Sequence, residues 1–355
     1  MFTPAGVRVP PLDEPNVEET MTATVPGENQ ADLISGERAT VLQSGRLPSF
    51  IGAPWLACET DVIRAHGARA VVLGVPFDQA TVYRSGSSHG PRGVRNASEA
   101  YLPYLGEYDI DLFEAFRLAD CGDVPIVPAN AARSRELIAD RVGRVLDAGA
   151  FPILIGGDHS IPIPAMDAVS ARVDGKVGYL HFDAHLDCQP DVAGELFTNW
   201  SGVSRAVERE NVDARNVALV GIRGALNPPE QFRFVREHGI TMFTMREITR
   251  RGIEAVVTDA LDRVTDGTEA FYITWDTDVI DASAMPGTDG PEPGGLTSTE
   301  ALRAIELVGA RKPIAMDIVE VTPAYDLSGI STRLACYLIF NVLGGWATGG
   351  EPRRT

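Results

Sequence analysis

Short apolar runs separated by helical patterns recur along most of the chain. Each run is four to seven residues long, which is the usual length of a buried strand. Continuous apolar strands that alternate with helices favour a largely parallel sheet covered on both faces. The sequence therefore predicts an α/β fold whose strands are Val71–Val75, Phe151–Ile155, Val177–Phe182, Val217–Ile222, Ile240–Phe243, Ala270–Trp275 and Pro313–Val319.

Between the first two of these strands, apolar residues follow a helical period. Ile138, Val142, Val145 and Leu146 stand at i, i+4, i+7 and i+8, which predicts an amphipathic helix, and Gly149 provides a C-terminal stop. Further helices are predicted over Glu247–Val264 and Thr299–Val308, the second with Ser298 as N-cap ahead of Glu300.

The first part of the chain has a different composition. Residues 1–45 mix prolines with acidic residues and show no steady apolar period. We interpret them as an N-terminal arm, either draped over the domain or a neighbouring subunit, or a flexible tail. No repeat and no linker interrupts the rest of the chain, so we predict one catalytic domain over residues 46–347 and a short tail over 348–355.

Composition and charge exclude several classes of protein. The chain has 355 residues, with 49 Asp+Glu against 31 Lys+Arg and a net charge of −18. Such acidity argues against nucleic-acid binding, and no apolar run is long enough to cross a bilayer. There is no signal-peptide pattern, so we expect a cytoplasmic protein without membrane contact. The four cysteines form no CxxC pair and are predicted to be free thiols.

Polar residues with catalytic potential follow four of the predicted strands. Three of the six histidines fall between residues 159 and 185. In an open parallel sheet, ligands bind beyond the carboxyl ends of the strands, so these segments can converge on one crevice. The segments are Gly156–Ser160, Asp183–Asp187, Asp276–Asp278 and Glu320–Pro323.

The spacing within these segments indicates a metal site. Asp183, His185 and Asp187 stand at i, i+2 and i+4, so on an extended chain their side chains point the same way, and Asp276 and Asp278 repeat the pattern. Together with His159 they offer two imidazoles and four carboxylates, which is too much negative charge to bury unneutralised. Two divalent cations bridged by carboxylates would neutralise it. Taken singly, an Asp-x-Asp after a strand is more typical of a turn or a helix cap than of a metal site, and a lone Gly-Gly-Asp-His is a weaker signal still. His181 on the strand is interpreted as a core histidine.

The combined motifs resemble those of a known superfamily. Gly156–Ser160, His181–Asp187 and Asp276–Asp281 are similar to the three signatures of the ureohydrolases, the arginase and agmatinase superfamily, and the agmatinase branch is the more similar. The resemblance covers roughly residues 70–345 and is more specific for the superfamily than for the substrate. Supporting stretches are Gly74–Asp78, Gly90–Arg95, Pro286–Thr288 and Pro291–Leu296.

The resemblance implies a three-layer α/β/α fold with two metal ions. One ion would be held by His159, Asp183, Asp187 and Asp276, and the other by Asp183, His185, Asp276 and Asp278, so that Asp183 and Asp276 bridge. The usual metal of the family is Mn²⁺, whereas relatives acting on guanidine and biguanides use Ni²⁺. Oxygen and nitrogen ligands suit either ion.

The resemblance also implies a reaction. A hydroxide activated by both metals would attack the carbon of a small cationic guanidino substrate, which would be cleaved to urea and an amine. Asp187 would pass a proton to the leaving nitrogen, and Glu320 would orient the guanidinium through paired hydrogen bonds.

Two departures from the family pattern concern the substrate. The loop 197–205 lacks the histidine that agmatinases usually carry there and offers Asn199 and Trp200 instead; the Trp200 ring could stack on a guanidinium or merely pack the loop. His89 could replace the missing histidine or lie on the surface, and Asp289, where relatives have glycine, could meet a cationic group or a turn amide. These changes favour guanidine, a substituted guanidine or a biguanide of the metformin type over agmatine.

Two alternatives stay open at this point. A deacetylase-like hydrolase on the related fold needs a single metal, and an assisting subunit of a hetero-oligomer would show little activity alone. By resemblance, a homo-oligomer, either a trimer or a hexamer, is the default expectation.

Overall fold

The strands form one eight-stranded sheet and one short hairpin. The computed structural model describes residues 48–81 and 83–350. The strands are β1 (Ala70–Gly74), β2 (Tyr104–Leu105), β3 (Ile110–Asp111), β4 (Ala119–Asp123), β5 (Phe151–Ile155), β6 (Val177–Phe182), β7 (Val217–Ile222), β8 (Thr241–Thr244), β9 (Ala270–Asp276) and β10 (Ala315–Val319). The large sheet has the order β4-β1-β5-β10-β9-β6-β7-β8 with every neighbouring pair parallel, and β2 pairs with β3 antiparallel.

Helices connect the parallel strands. They are α1 (Thr60–His66), α2 (Gly90–Ser98), α3 (Leu112–Phe116), α4 (Ala131–Asp147), α5 (Pro162–Ser170), α6 (Gly202–Val207), α7 (Pro229–His238), α8 (Met245–Arg251), α9 (Ile253–Thr265), α10 (Ser298–Ala310) and α11 (Ile330–Thr348).

Alternate residues of each central strand enter two different hydrophobic cores. Val72 and Leu180 pack in one core with α9, α10 and α11, whereas Val71 and Tyr179 pack in the other with α4, α5 and α7. Side chains alternate across a strand, so a sheet that is apolar on both faces needs a helical layer on each. The predicted single three-layer α/β/α domain with a parallel sheet is confirmed.

The seven predicted strands are all present, and one strand of the main sheet was missed. Three agree to the residue, and the ends of the other four differ by at most two residues. The missed strand, β4, reads Ala-Asp-Cys-Gly-Asp and lies at the sheet edge. Its buried Asp120 accepts from Arg95 Nε at 2.8 Å. A strand whose buried position holds an ion pair has no apolar run by which the sequence could reveal it.

Two helix predictions need correction. Glu247–Val264 is two helices, because Gly252 at φ 84° and ψ 151° separates α8 from α9. The N-cap of α10 is Thr297, not Ser298: the Thr297 hydroxyl accepts from the Glu300 amide at 3.2 Å, and the Glu300 carboxylate accepts from the Thr297 amide at 2.9 Å. This reciprocal pair is a capping box, which satisfies two amides of the first turn.

Other expectations concern the ends of the chain and its cysteines. The arm predicted over residues 1–45 lies outside the described residues, as do residues 351–355 of the predicted tail. All four cysteines are free, as expected. Within residues 48–81 and 83–350, no helix combines the length and the apolarity that a membrane span requires.

Candidate metal centre

The four polar segments lie side by side because their strands are neighbours. β5, β10, β9 and β6 occupy the middle of the parallel sheet, so the residues after them share one edge. The structure therefore brings together the six residues that the sequence predicts as metal ligands: His159, Asp183, His185, Asp187, Asp276 and Asp278.

The first group of ligand atoms surrounds His159. Its Nδ1 lies 2.9 Å from Asp183 Oδ2, 2.9 Å from Asp187 Oδ2 and 3.1 Å from Asp276 Oδ2. None of these contacts has the alignment of a hydrogen bond, and Nδ1 is buried without a hydrogen-bond partner among the described residues. Three carboxylate oxygens and one imidazole nitrogen directed at a common point fit a divalent cation.

The second group shares a carboxylate with the first. His185 Nδ1 lies 3.2 Å from Asp183 Oδ1 and 3.0 Å from Asp278 Oδ2. The two oxygens of Asp183 thus face different histidines, which is the geometry that a carboxylate bridging two ions requires. The donor set fits two neighbouring cations better than one.

Backbone amides hold one carboxylate oxygen of Asp276 and one of Asp278. Asp276 Oδ1 accepts from the amide of Asp278 at 2.8 Å, and Asp278 Oδ1 accepts from the amide of Ala184 at 3.0 Å. The remaining oxygen of each group faces the cluster, and Asp278 Oδ2 is buried without a hydrogen-bond partner among the described residues. Asp187 adopts the left-handed conformation at φ 43°, which is costly for a non-glycine residue and turns its carboxylate towards His159.

Burial and mutual repulsion disfavour the charged form of these carboxylates. Burial, and then the charges of Asp278 and Asp183, raise the pKa of Asp276 well above its usual value. Burial opposes ionisation of Asp183 as well, but its histidine contacts hold the pKa of that carboxyl well below the usual range. Bound divalent cations would offset this repulsion, which is a second reason why the residues fit a metal centre.

His181 lies in the core but also contacts the cluster. It is fully buried on β6, as its interpretation as a core histidine requires. However, its Nε2 lies 3.1 Å from Asp183 Oδ2, and its ring stacks on that of His159 with centroids 4.9 Å apart. His181 therefore supports the ligands from the inner side of the cluster.

A cavity of about 540 Å³ opens above the cluster. Its walls include four residues predicted as substrate contacts: Asn199, Trp200, Asp289 and Glu320. Asn199 Oδ1 and Glu320 Oε2 are buried without hydrogen-bond partners among the described residues. Asp289 is only 6% exposed, and burial, followed by the charge of Asp278, raises its pKa to about 8. The cavity thus presents acceptor atoms that a ligand rich in N–H groups could satisfy.

Glu320 connects two of the converging segments. Its Oε1 accepts from the amide of His159 at 2.8 Å, and its own amide donates to the carbonyl of Gly157 at 2.8 Å. Glu320 has φ 62°, a second left-handed non-glycine residue at the cavity. These contacts fix one carboxylate oxygen and leave the other facing the cavity.

The loop that carries Asn199 and Trp200 is fixed to the ligand segment. The amide of Val203 donates to the carbonyl of Asp187 at 2.9 Å, and the amide of Gln189 donates to the carbonyl of Trp200 at 2.9 Å. Trp200 is half-buried in the cavity wall. The loop therefore places Asn199 and Trp200, the residues that depart from the family pattern, in the wall of the cavity.

His89 is the one predicted site residue that the described structure brings neither to the cluster nor to the cavity wall. It is exposed at the end of a short 3-10 turn, Ser87–His89, and does not line the cavity wall. In its place the wall contains Tyr83, which is 70% exposed. The sequence gives no signal for Tyr83, because it lies in an irregular segment without a motif.

Two further residues missed by the sequence hold the site together. Arg223 donates to the carbonyls of Asp278 at 2.6 Å and Glu292 at 2.8 Å, which joins a ligand segment to the cavity wall. Asn227 accepts from the amide of Leu186 at 2.9 Å. Both residues lie just after β7, which is the neighbour of β6 in the sheet. Their position as polar residues after a strand is the sequence signal by which they could have been found.

Gly157 is required by a close approach of two backbone segments. A Cβ there would lie 1.7 Å from the carbonyl oxygen of Phe77. We expect Gly157→Ala to lower the free energy of unfolding by about 1–3 kcal/mol, because backbone atoms must shift. In Gly202→Ala the nearest atom is 3.5 Å away, so this control should change stability little. Thermal unfolding measures both, and equal midpoints for the two variants would contradict the expectation.

The fold and the site define a class of protein. A parallel sheet between two helical layers, with a shared His/Asp cluster at the carboxyl edge of the sheet, is the architecture of the ureohydrolase class. The profile described as "Arginase family" matches residues 68–344, so the chain belongs to that family. The expected superfamily, its agmatinase-like branch and the hydrolase class are confirmed.

Individual relatives extend over most of the chain. A guanidinopropionase from Pseudomonas aeruginosa is 32% identical over 317 residues, which is 87% of this chain and 96% of the relative. A mitochondrial agmatinase from Gallus gallus is 31% identical and covers 79% of this chain and 81% of its own length. The solved proclavaminate amidinohydrolase from Streptomyces clavuligerus is 28% identical with a TM-score of 0.77, over 86% of this chain and 98% of that one.

Proposed function

We propose that this chain is a binuclear metal-dependent amidinohydrolase that cleaves a small cationic guanidino compound to urea and an amine. The observation that carries this proposal is the pair of His/Asp groups that share Asp183 at the base of the cavity. Two groups with a shared carboxylate favour two ions over the single ion of a deacetylase-like hydrolase.

The residues of the cluster would hold the two ions. His159, Asp183, Asp187 and Asp276 would bind one, and Asp183, His185, Asp276 and Asp278 the other. When bound, Mn²⁺ or Ni²⁺ would supply positive charge and lower the pKa of a water molecule so that it can act as a nucleophile.

Two carboxylates would act on the substrate. Glu320 Oε2 faces the cavity without a partner among the described residues, so it can accept N–H bonds from a guanidinium and hold its plane. Asp187 lies both in the cluster and in the cavity wall, where it can accept a proton from the nucleophile and return it to the leaving nitrogen.

The charges of the cavity wall limit the substrate class. Among the described residues, the wall contains Asp289, Glu292 and Glu320 in addition to the ligands, but no lysine or arginine. A guanidino acid would therefore bring its carboxylate to an acidic wall without a counter-ion. A substrate with N–H donors and no carboxylate suits the wall better, and we include guanidine, substituted guanidines, metformin-type biguanides and agmatine-like amines in that class. The Trp200 ring in the cavity wall would limit the size of the substrate.

A substrate panel tests this proposal. We expect guanidine or 1,1-dimethylbiguanide to have the highest kcat/KM for urea release. We expect 4-guanidinobutyrate to be lower by about 10- to 100-fold, since an unpaired charge costs on the order of 1–3 kcal/mol. Asp289→Asn should narrow the gap above pH 8, where the Asp289 carboxyl is ionised and its negative charge would oppose a substrate carboxylate. A preference for 4-guanidinobutyrate would contradict the proposed class of substrates without a carboxylate. A preference for agmatine would contradict the expectation that guanidine or a biguanide is the preferred substrate within that class.

The number and the kind of subunits in the assembly also belong to the proposal. The trimer or hexamer expected from the resemblance, and the alternative of an assisting subunit in a hetero-oligomer, both stay predictions. The purified chain decides between active and assisting roles: urea release by the chain alone supports an active subunit, whereas two bound ions without turnover support an assisting one.

A further inference from the structure

His159 has a second contact that faces away from the cluster. Its Nε2 lies 2.8 Å from the hydroxyl oxygen of Thr274, which is fully buried on β9. The Thr274 hydroxyl donates to Asp317 Oδ1 on β10 at 2.6 Å. Thr274 and Asp317 are register partners on the two adjacent parallel strands, so the sheet itself sets their separation.

The single proton of the Thr274 hydroxyl determines the direction of this chain of hydrogen bonds. Because Thr274 gives that proton to Asp317, its oxygen can only accept from His159, and the accepted proton must be carried by Nε2. Nδ1 is then left with its lone pair, and Nδ1 is the atom that faces the carboxylates of Asp183, Asp187 and Asp276.

The other contacts of Asp317 support the same direction. The hydroxyl of Tyr272 donates to Asp317 Oδ2, and the amide of Trp275 approaches Oδ1 at 3.4 Å. Every contact of this carboxylate is thus with a donor, so it has no proton to return to Thr274. Asp317 lies in the middle of the apolar strand Ala-Met-Asp-Ile-Val, where a carboxylate needs such a set of donors to be buried.

We propose that Thr274 and Asp317 are positioning residues which fix the tautomer and ring orientation of His159, so that Nδ1 is prepared to bind a metal ion. The inference rests on the proposed metal site but assigns roles to two residues outside it. His185 has no comparable support: its Nε2 is buried without a hydrogen-bond partner among the described residues. Outer contacts of this kind commonly change metal affinity by about 10- to 100-fold.

Thr274→Val tests the role of the hydroxyl. Valine has the shape of threonine but offers no acceptor, so the ring of His159 loses its support. We expect the dissociation constant for Mn²⁺ at the position that His159 would hold to rise about 10- to 100-fold in a chelator-competition titration. Thr274→Ser keeps the hydroxyl and should remain close to wild type. The electron paramagnetic resonance spectrum of the Mn²⁺-loaded Thr274→Val protein should show less of the signal of coupled ion pairs.

Asp317→Asn tests the carboxylate. An asparagine amide can donate to the Thr274 oxygen and turn the hydroxyl proton towards His159 Nε2, which favours the tautomer with a proton on Nδ1. Mn²⁺ affinity should therefore fall here as well. Thr265→Val is a matched control, because it removes a hydroxyl bonded to the carbonyl of Leu261 in α9, away from the site.

The outcomes separate the inference from the proposed function. Weakened Mn²⁺ binding in Thr274→Val, with Thr274→Ser and Thr265→Val near wild type, supports the positioning role. Wild-type affinity in Thr274→Val, or an equal loss in the valine and serine variants, overturns it while leaving the metal site intact. A wild-type chain that binds neither Mn²⁺ nor Ni²⁺ removes the metal site and this inference together. A melting temperature that falls with unchanged Mn²⁺ affinity shows a packing role and also overturns it.

Discussion

Asp183→Asn is expected to abolish the retention of both metal ions and the release of urea together. Asp183 is the one carboxylate whose two oxygens face both histidines of the cluster, at 2.9 Å from His159 Nδ1 and 3.2 Å from His185 Nδ1. An asparagine of the same shape lacks the charge that holds two cations. Loss of the metals' contribution, several kcal/mol, corresponds to a decrease in kcat on the order of 10³-fold or more.

Metal analysis of the purified variant, together with a urea assay, checks this result. Asp174→Asn is a suitable control, because Asp174 is exposed before β6 and lies outside the cluster. That control should retain two ions per chain and full turnover. If Asp183→Asn kept two ions and normal turnover, the binuclear assignment would be wrong.

Glu320→Gln is expected to separate substrate binding from metal binding. Glutamine retains an oxygen that can accept from the amide of His159, so the segment after β5 should keep its conformation. The charge directed at the guanidinium is lost, however, and hydrogen bonds to charged groups contribute about 1.5–3 kcal/mol each. We therefore expect kcat/KM to fall roughly 10²-fold while two ions remain bound.

The comparison of metal content with kinetics distinguishes this role from a structural one. Glu237→Gln, on the exposed face of α7, is a control for the loss of a surface charge. A Glu320→Gln protein with unchanged kcat/KM would show that the free oxygen does not hold the substrate. A variant that loses its metals would instead assign Glu320 to the stability of the centre.

Part of the acidity of the chain is concentrated around the cavity. Net charge alone argues against a nucleic-acid partner but does not say where the carboxylates act. The structure places Asp289, Glu292 and Glu320 around one cavity whose described wall has no lysine or arginine. The names of several relatives refer to guanidino acids, for example guanidinopropionase. The proposed substrate class of this chain rests on the charges of its own cavity wall.

Much of the fold was predictable because its signals are local. Buried parallel strands are continuous apolar runs, and the central strands Phe151–Ile155 and Val177–Phe182 agree with the prediction to the residue. The edge strand Ala119–Asp123 was not predictable, because the buried Asp120 is compensated by Arg95, 25 residues earlier in the chain. A pairing of that kind depends on tertiary contacts rather than on a periodic pattern.

The sequence by itself identified the residues that we propose as ligands and the edge of the sheet at which they meet. Parallel strands end at one edge, which brings the polar segments together. Asp183, His185 and Asp187 lie beyond the end of β6 in a bent segment, where Asp187 has φ 43°, so the two-residue period of extended chain does not set their common direction. The tertiary structure decided which segments touch. β10 is the last strand in sequence but lies between β5 and β9, which places Glu320 against His159 across 161 residues and Asp317 beside Thr274. Strand order and register arise from the packing of whole layers, so the cavity wall and the support of His159 could only be found in the folded chain.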